Sequence, residues 1–294
     1  MERAQEIRRD RSGSWLTPSV RVSVDQTLLA AAELARRNQA LESQLAALRH
    51  EHDELRRVLF DAAQAQRRLC GPRHLQRGDF AVAGEIFPVR HLSGDFICTI
   101  EQGPDLVLAI GDIAGKGLDA GVWFNQVVNV IRRRATSEWD PAIAVTAINR
   151  DFCQASLTVP MTTIFLARLD LAAGTISYCN AGHPPALLLR SDGNPELLHE
   201  GGPVLGALKE VEYSAGQAVL HKGDVVLAYS DGIAECRNEM GEEFGGDRLW
   251  AALAASSGSS AISRLFSVLG AVEDFAGVHP REDDIALLVV EREI

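Results

Sequence analysis

The sequence predicts an α+β protein, two packed β-sheets flanked by helices, preceded by one long coiled-coil helix. Three observations carry that expectation. Leucines recur every seven residues up to Leu69, with no Gly or Pro to interrupt them after Pro18. Beyond Gly71-Pro72, short runs rich in Val, Ile and Leu alternate with longer stretches of helical period. The runs between Thr162 and Arg190 are joined by short Gly, Asn and Pro turns, which predicts antiparallel hairpins.

Residues 1–22 show no clear periodicity and are expected to form a flexible N-terminus, with Val20, Val22 and Val24 as a candidate docking strand. Ser23 and Gln26 have capping-box spacing, and Asp25 adds a negative charge to the first turn. From there Leu34, Leu41, Leu48, Leu55, Ala62 and Leu69 occupy heptad d positions. Ala31, Asn38, Leu45, His52, Leu59 and Gln66 occupy a. Leu at every d but one favours a two-stranded parallel coiled coil, with Asn38 as a register pin. A helix of roughly 45 residues, at about 1.5 Å each, would extend near 70 Å. His52 and Gln66 weaken the seam, which suits a linker whose register must move. The segment 23–70 is thus read as a dimerising signal linker; the alternative is one helix folded back on the globular region. Gly71-Pro72 stops it.

In the remainder, 75–294, strands are expected at Phe80–Phe87, Phe96–Glu101, Leu106–Asp112, Thr162–Asp170, Thr175–Asn180, Ala186–Arg190, Val219–Leu220, Val225–Tyr229 and Ile285–Glu291. Helices are expected at Leu118–Ala135, Pro141–Ser156, Asp247–Ala255 and Ala261–Phe275.

Composition narrows the function classes. No run of about 18 apolar residues occurs, so no membrane span is expected. The N-terminus lacks the apolar core of a secretion signal. Five scattered cysteines, none in a Cys-x-x-Cys pair, point to free thiols in a reducing cytoplasm. Of the net charge of −11, residues 71–294 carry 17 basic against 30 acidic side chains. An acidic region without a basic stripe makes nucleic acid an unsuitable partner. Arg132-Arg133-Arg134 reads as a solvated helix end.

Four acid-bearing stretches lie at strand ends: Ser93-Gly94-Asp95-Phe96, Gly111-Asp112-Ile113-Ala114-Gly115-Lys116-Gly117, Tyr229-Ser230-Asp231-Gly232-Ile233 and Arg281-Glu282-Asp283-Asp284-Ile285. A sheet fixes the direction of such carboxylates, and two packed sheets can bring the four ends to one edge. Converging carboxylates repel, so a cation is the natural occupant. Oxygen-only ligation favours Mg²⁺ or Mn²⁺ over zinc. Two such ions, roughly 3.5–4 Å apart, would clamp a phosphate and activate a water.

With these motifs, with Asn180-Ala181-Gly182-His183-Pro184-Pro185 and with Gly223-Asp224 ahead of Tyr-Ser-Asp-Gly-Ile-Ala-Glu, the chain resembles the metal-dependent protein serine/threonine phosphatases. This is the protein phosphatase 2C family, and the likeness is to its bacterial SpoIIE-like, RsbU-type branch over about residues 76–292. The resemblance implies a four-layer α-β-β-α sandwich with two Mn²⁺ or Mg²⁺ ions at one edge. It implies Asp112 as the carboxylate bridging both ions, the Ile113 carbonyl on the second, Asp231 and Asp283 on the first, and Asp95 on the side of the second. Asp284 ranks below Asp283, because the wider family often has Asn there. Asp112 and Asp231 would act through metal-activated water, with no covalent enzyme intermediate.

By the same resemblance the substrate is a phosphoserine regulatory protein, a STAS-domain anti-sigma-factor antagonist in a partner-switching pathway. An upstream regulator would act on residues 1–70, tilting the helix that follows the metal loop. The rival reading is a catalytically weak or inactive adaptor of the same fold. Two departures bear on activity: Cys98 stands where branch members commonly carry a further Asp, and Ala114 stands where eukaryotic relatives carry a candidate general-acid His. The leaving serine oxygen would then be protonated by water. His183 is expected to order a turn, and Lys116 to sit in a solvated loop.

Overall fold

The computed structural model describes residues 18–89, 92–115, 118–155 and 159–293. The segment expected to be flexible lies outside them up to residue 17, as does Lys116. The chain divides into two compact units, Met1–Val58 and Leu59–Ile294.

Helix α1 spans Pro18–Leu69, starting five residues before the expected Ser23 cap. Proline is well tolerated in a first helical turn, where its missing N–H has no partner to lose. Val20, Val22 and Val24 are therefore helical, and the docking strand expected there does not form. Leu34, Leu41, Leu48 and Leu55 are all more than half exposed along the helix.

The second unit contains β1 (His74–Arg77), β2 (Phe80–Phe87), β3 (Asp95–Gln102), β4 (Asp105–Ile113), α2 (Leu118–Ser137), α3 (Pro141–Gln154), β5 (Thr162–Asp170), β6 (Thr175–Ala181), β7 (Ala186–Leu189) and β8 (Pro195–Leu198). It continues with β9 (Gly201–Gly202), β10 (Gly216–Val219), β11 (Val225–Tyr229), α4 (Asp231–Ala234), α5 (Gly245–Ala255), α6 (Ala261–Ala276) and β12 (Ile285–Arg292). One sheet has the order β1-β2-β12-β11-β7-β8; the other runs β10-β6-β5-β4-β3, with β9 alongside β6.

The expected β5–β6 hairpin is antiparallel and in register from Ile164–Ala181 to Asp170–Thr175. The hairpin expected between β6 and β7 does not form, because β7 crosses to the other sheet and pairs with β11 and β8. The cause is local. Gly182 takes a positive φ of 69°, Asn180 and His183 bond each other reciprocally across the turn, and Pro184-Pro185 then steers the strand away.

Period-2 alternation sorts the strands into three packed interfaces. Leu106, Leu108 and Ile110 of β4 meet Val226 and Ala228 of β11 and Ala286 and Leu288 of β12 between the sheets. The alternate residues Val107 and Ala109 pack with α2 and α3 through Val127, Val128, Ile131 and Ile148. On the far side, Leu227, Leu287 and Val289 pack with α5 and α6 through Leu249, Leu265 and Val268. The result is the four-layer α-β-β-α sandwich.

Of the three arginines near the end of α2, Arg133 is exposed as expected, while Arg132 and Arg134 are half-buried. Arg133 and Arg134 both bond Asp151 of α3. Arg132 donates from Nη1 to the Leu69 carbonyl oxygen at 2.8 Å, satisfying an orphan acceptor at the end of α1.

Candidate metal centre

Strand register brings the acids together. Asp95 opens β3 and lies directly opposite Asp112 near the end of β4. Asp112 continues the column Leu106, Leu108, Ile110 that faces the other sheet, and Asp95 shares that face with Ile97. On the second sheet, Asp231 follows β11 and Asp283-Asp284 precede its antiparallel partner β12. The Ser230 N–H donates to the Ala286 carbonyl, and the Ala286 N–H donates to Ser230 Oγ at 2.8 Å, joining these two ends. All the predicted acids thus lie at one rim, where both sheets end.

Their electrostatics agree with that placement. Asp95 is buried, which pushes its carboxyl well above the ordinary range, and the charges of Asp112, Asp284 and Asp231 push it further. A hydrogen bond with Ser230 offsets this only in part. Asp112 is pushed up to about 6, first by burial and then by Asp231, Asp283 and Asp284. Shifts of this origin mark carboxylates that lack a counter-charge.

Asp284 has a different surrounding. Its Oδ1 accepts from the Val89 N–H at 2.8 Å, and its Oδ2 accepts from Ser93 Oγ at 2.7 Å and the Gly94 N–H at 3.2 Å. It anchors the loop that carries Ser93-Gly94-Asp95. Asp283 Oδ1 accepts from the Asp284 N–H at 3.0 Å.

Whether divalent ions fit here is tested by two features. The buried Asp95 Oδ2 has no hydrogen-bond donor among the described residues, a costly state for an anionic oxygen unless a cation meets it. Gly94 and Gly232 are also obligatory. A Cβ on Gly94 would sit 2.8 Å from Asp112 Oδ1 and 2.9 Å from the Ile113 carbonyl oxygen, and one on Gly232 would sit 2.0 Å from the Asp284 carbonyl oxygen. The Gly94 backbone therefore leaves clear the place where the Asp112 carboxylate and Ile113 carbonyl converge. An all-oxygen donor set of this kind suits Mg²⁺ or Mn²⁺. No three His, Cys, Asp or Glu side chains close on a single point among the described residues; the carboxylates stand apart along the rim, as like charges do.

Two supporting residues, Thr163 and Ser230, escaped the sequence reading, and a third, His183, was expected only to order a turn. Thr163 Oγ1 accepts from the Asp112 N–H at 3.2 Å and lies 3.0 Å from His183 Nδ1. His183 does order a turn, and burial holds its pKa down at about 3, so it is a neutral brace behind Asp112. Ser230, noted only as part of a motif, donates from Oγ to the Asp284 carbonyl oxygen at 3.4 Å and accepts from the Ala286 N–H, and it partly offsets the upward push on Asp95. The Cys98 side chain shares the helix-side core with Phe96 and Val107, on the face of β3 opposite Asp95.

A family model described as "Stage II sporulation protein E (SpoIIE)" matches residues 102–293. The chain belongs to the SpoIIE family. It is a protein phosphatase 2C-type phosphatase with an N-terminal helix. The phosphoserine phosphatase RsbU of Bacillus subtilis is 26% identical over 250 residues, 84% of this chain and 73% of RsbU. Among solved structures, the SiaA-PP2C domain of Pseudomonas aeruginosa superposes with a TM-score of 0.70 at 18% identity, covering 82% of this chain and 98% of that domain. The catalytic domain of the serine/threonine protein phosphatase PstP, solved with two manganese ions, superposes at a TM-score of 0.52 and 16% identity over 73% of this chain and 99% of PstP. At these identities the two structures speak to the fold alone. No helix among the described residues is long and apolar enough to cross a membrane.

Proposed function

We propose that this phosphatase hydrolyses phosphoserine on a STAS-domain anti-sigma-factor antagonist, within a partner-switching pathway. The observation that carries the reading is the juxtaposition of Asp95 and Asp112 on adjacent strands, with Asp231, Asp283 and Asp284 charging the same rim. Asp112 and the Ile113 carbonyl, with Asp231, Asp283 and Asp95, would hold two Mn²⁺ or Mg²⁺ ions; Asp284 is committed to Val89, Ser93 and Gly94. When bound, such ions neutralise a phosphate and supply an activated water.

The chain's own residues do the positioning. Thr163 and His183 fix the Asp112 backbone from behind, and Ser230 ties the end of β11 to Asp284 and Ala286. Ala114 offers no proton, and buried neutral His183 is a poor acid, so solvent protonates the leaving serine oxygen. The family assignment and the likeness to RsbU support a phosphoserine substrate.

In this reading 75–294 is the catalytic region, and 23–70 is a dimerising linker through which an upstream regulator acts. Its support is the exposed heptad leucines Leu34, Leu41, Leu48 and Leu55, which a second copy would cover. Five free cysteines support a cytoplasmic setting.

The test is incubation of the full chain and Mn²⁺ with phosphorylated STAS proteins, scored for phosphate release. Release that chelator and Asp231→Ala abolish supports the reading. Tight binding of the phosphoprotein without release, from enzyme equally inert on an aryl phosphate, would replace it with the adaptor.

A further inference from the structure

Two buried cysteines lie on adjoining segments where α1 gives way to the sandwich. The Thr99 N–H of edge strand β3 donates to the Cys70 carbonyl at 2.9 Å, so the residue after α1 is tied to β3 beside Cys98. Gly71, with φ of 82°, allows this approach: a Cβ there would fall 2.3 Å from the Thr99 carbonyl oxygen. The Cys70 and Cys98 side chains belong to the same buried cluster, at 1% and 0% exposure. A pair of thiols held this way, in adjoining segments tied backbone to backbone, is placed to cross-link with limited backbone movement.

We propose that Cys70 and Cys98 form a peroxide-oxidisable dithiol that closes to a disulfide, fastening the end of α1 to the strand that Asp95 begins. Access is through a cavity of about 230 Å³, whose wall includes Cys70, Phe60, Gln66, Arg73 and Ile86. Gln66 Nε2 and Arg73 Nε are buried there without hydrogen-bond partners, which gives a polar oxidant a place to be held. The Cys98 thiol, with the charges of Arg73 and Arg132 behind it, holds the Cys70 thiol below its ordinary range against the opposing effect of burial. The same pairing, together with burial, raises Cys98. Cys70 lines the cavity and Cys98 does not, so Cys70 is the attacking sulfur and Cys98 the resolving one.

The Cys70 thiolate attacks one oxygen of hydrogen peroxide. The O–O bond breaks, and with one proton taken up the products are Cys70 sulfenic acid and water. The Cys98 sulfur then attacks the Cys70 sulfur, the S–O bond breaks, and the hydroxyl leaves as a second water with the Cys98 proton. Two thiols lose two electrons and two protons, and one peroxide becomes two waters. The remaining cysteines have no such arrangement: Cys179 is pushed up to about 12 by burial, and Cys153 and Cys236 are half-buried in separate parts of the sandwich. The cavity wall also includes Ser93 and Asp95, so the test is run in chelator; the proposal stands independently of the phosphatase substrate.

Peptide mapping tests it on the full chain. After one equivalent of hydrogen peroxide, alkylation and trypsin digestion without reductant, residues 69–73 should appear joined to 91–116, two hydrogens lighter than the sum and separable by dithiothreitol. Cys98→Ala should lose the joined peptide and leave Cys70 trappable by dimedone, while Cys153→Ser should keep it. The wild-type experiment decides even where the alanine variant folds poorly. Oxidation confined to Cys153 or Cys236, or Cys70 passing to sulfonic acid with no joined peptide, would overturn the assignment.

Discussion

Asp95 and Asp112 face each other as directly paired residues of antiparallel strands, on the side of their sheet that meets the other sheet. Like charges opposite one another destabilise a sheet, and here both carboxylates are also largely withdrawn from water. A divalent cation bound at this rim would relieve that repulsion.

Removing one of the two charges should therefore stabilise the metal-free protein while destroying its activity. Asp112 is pushed from 3.8 to about 6. Between these values the folded state binds more protons than the unfolded, so Asp112 costs stability as pH rises across that window, and the cost is complete above it. Asp112→Asn should recover on the order of 2 kcal/mol at pH 7 in chelator. Hydrolysis should fall roughly 10³-fold, the scale of several kcal/mol of lost charge stabilisation. Thermal melts with chelator from pH 4 to 7, beside phosphate release with Mn²⁺, check both signs.

Gly94→Ala tests the cradle without touching a carboxylate. The added methyl would collide with Asp112 Oδ1 and the Ile113 carbonyl oxygen, displacing both. Mn²⁺ affinity should fall by about 10- to 100-fold, as for loss of a supporting group, with circular dichroism unchanged. An unaltered affinity would show that these two oxygens do not share a site.

His183 gives a separate acid signature. It titrates near 6.5 when unfolded and near 3 when folded, held down by burial. The unfolded chain therefore takes up the proton first, and stability is lost as pH falls from 6.5 towards 3. His183→Asn should be less stable at neutral pH, through the lost contact with Thr163, yet lose less on acidification. Denaturant melts at pH 7, 6 and 5 read the slope.

How far the sequence shows this site depends on what kind of contact forms it. The acids and their strands were legible because each sits where an apolar run meets glycine or another acid, and period 2 fixes the face. The residues behind them were not. Thr163 and Ser230 read as ordinary strand and turn residues, and only the pairing of β4 with β5 and of β11 with β12 brings them under Asp112 and Asp95. The short strands β1 and β8 were missed because four residues with exposed positions carry no apolar pattern. Strand β7 was seen, but its sheet was not: a turn at Gly182-His183 chooses between sheets by backbone direction, which hydrophobic spacing does not encode.

The linker makes a quantitative expectation of its own. Leu41 and Leu48 are 55% and 62% exposed along α1, so a single chain leaves its seam wet. Sedimentation at micromolar concentration should give a dimer, and Leu41→Lys with Leu48→Lys should give a monomer with reduced helicity. A monomeric wild type would remove the linker's role as a dimerising element.

The most direct measurement is calorimetric titration of Mn²⁺ into the full chain and into Asp95→Asn, Asp112→Asn, Asp231→Asn and Asp283→Asn, one at a time. The rim described here predicts two ions bound by the wild type and weaker binding, or a lost ion, in every variant. Wild-type protein that takes up no Mn²⁺, or four variants that bind it as the wild type does, would contradict it.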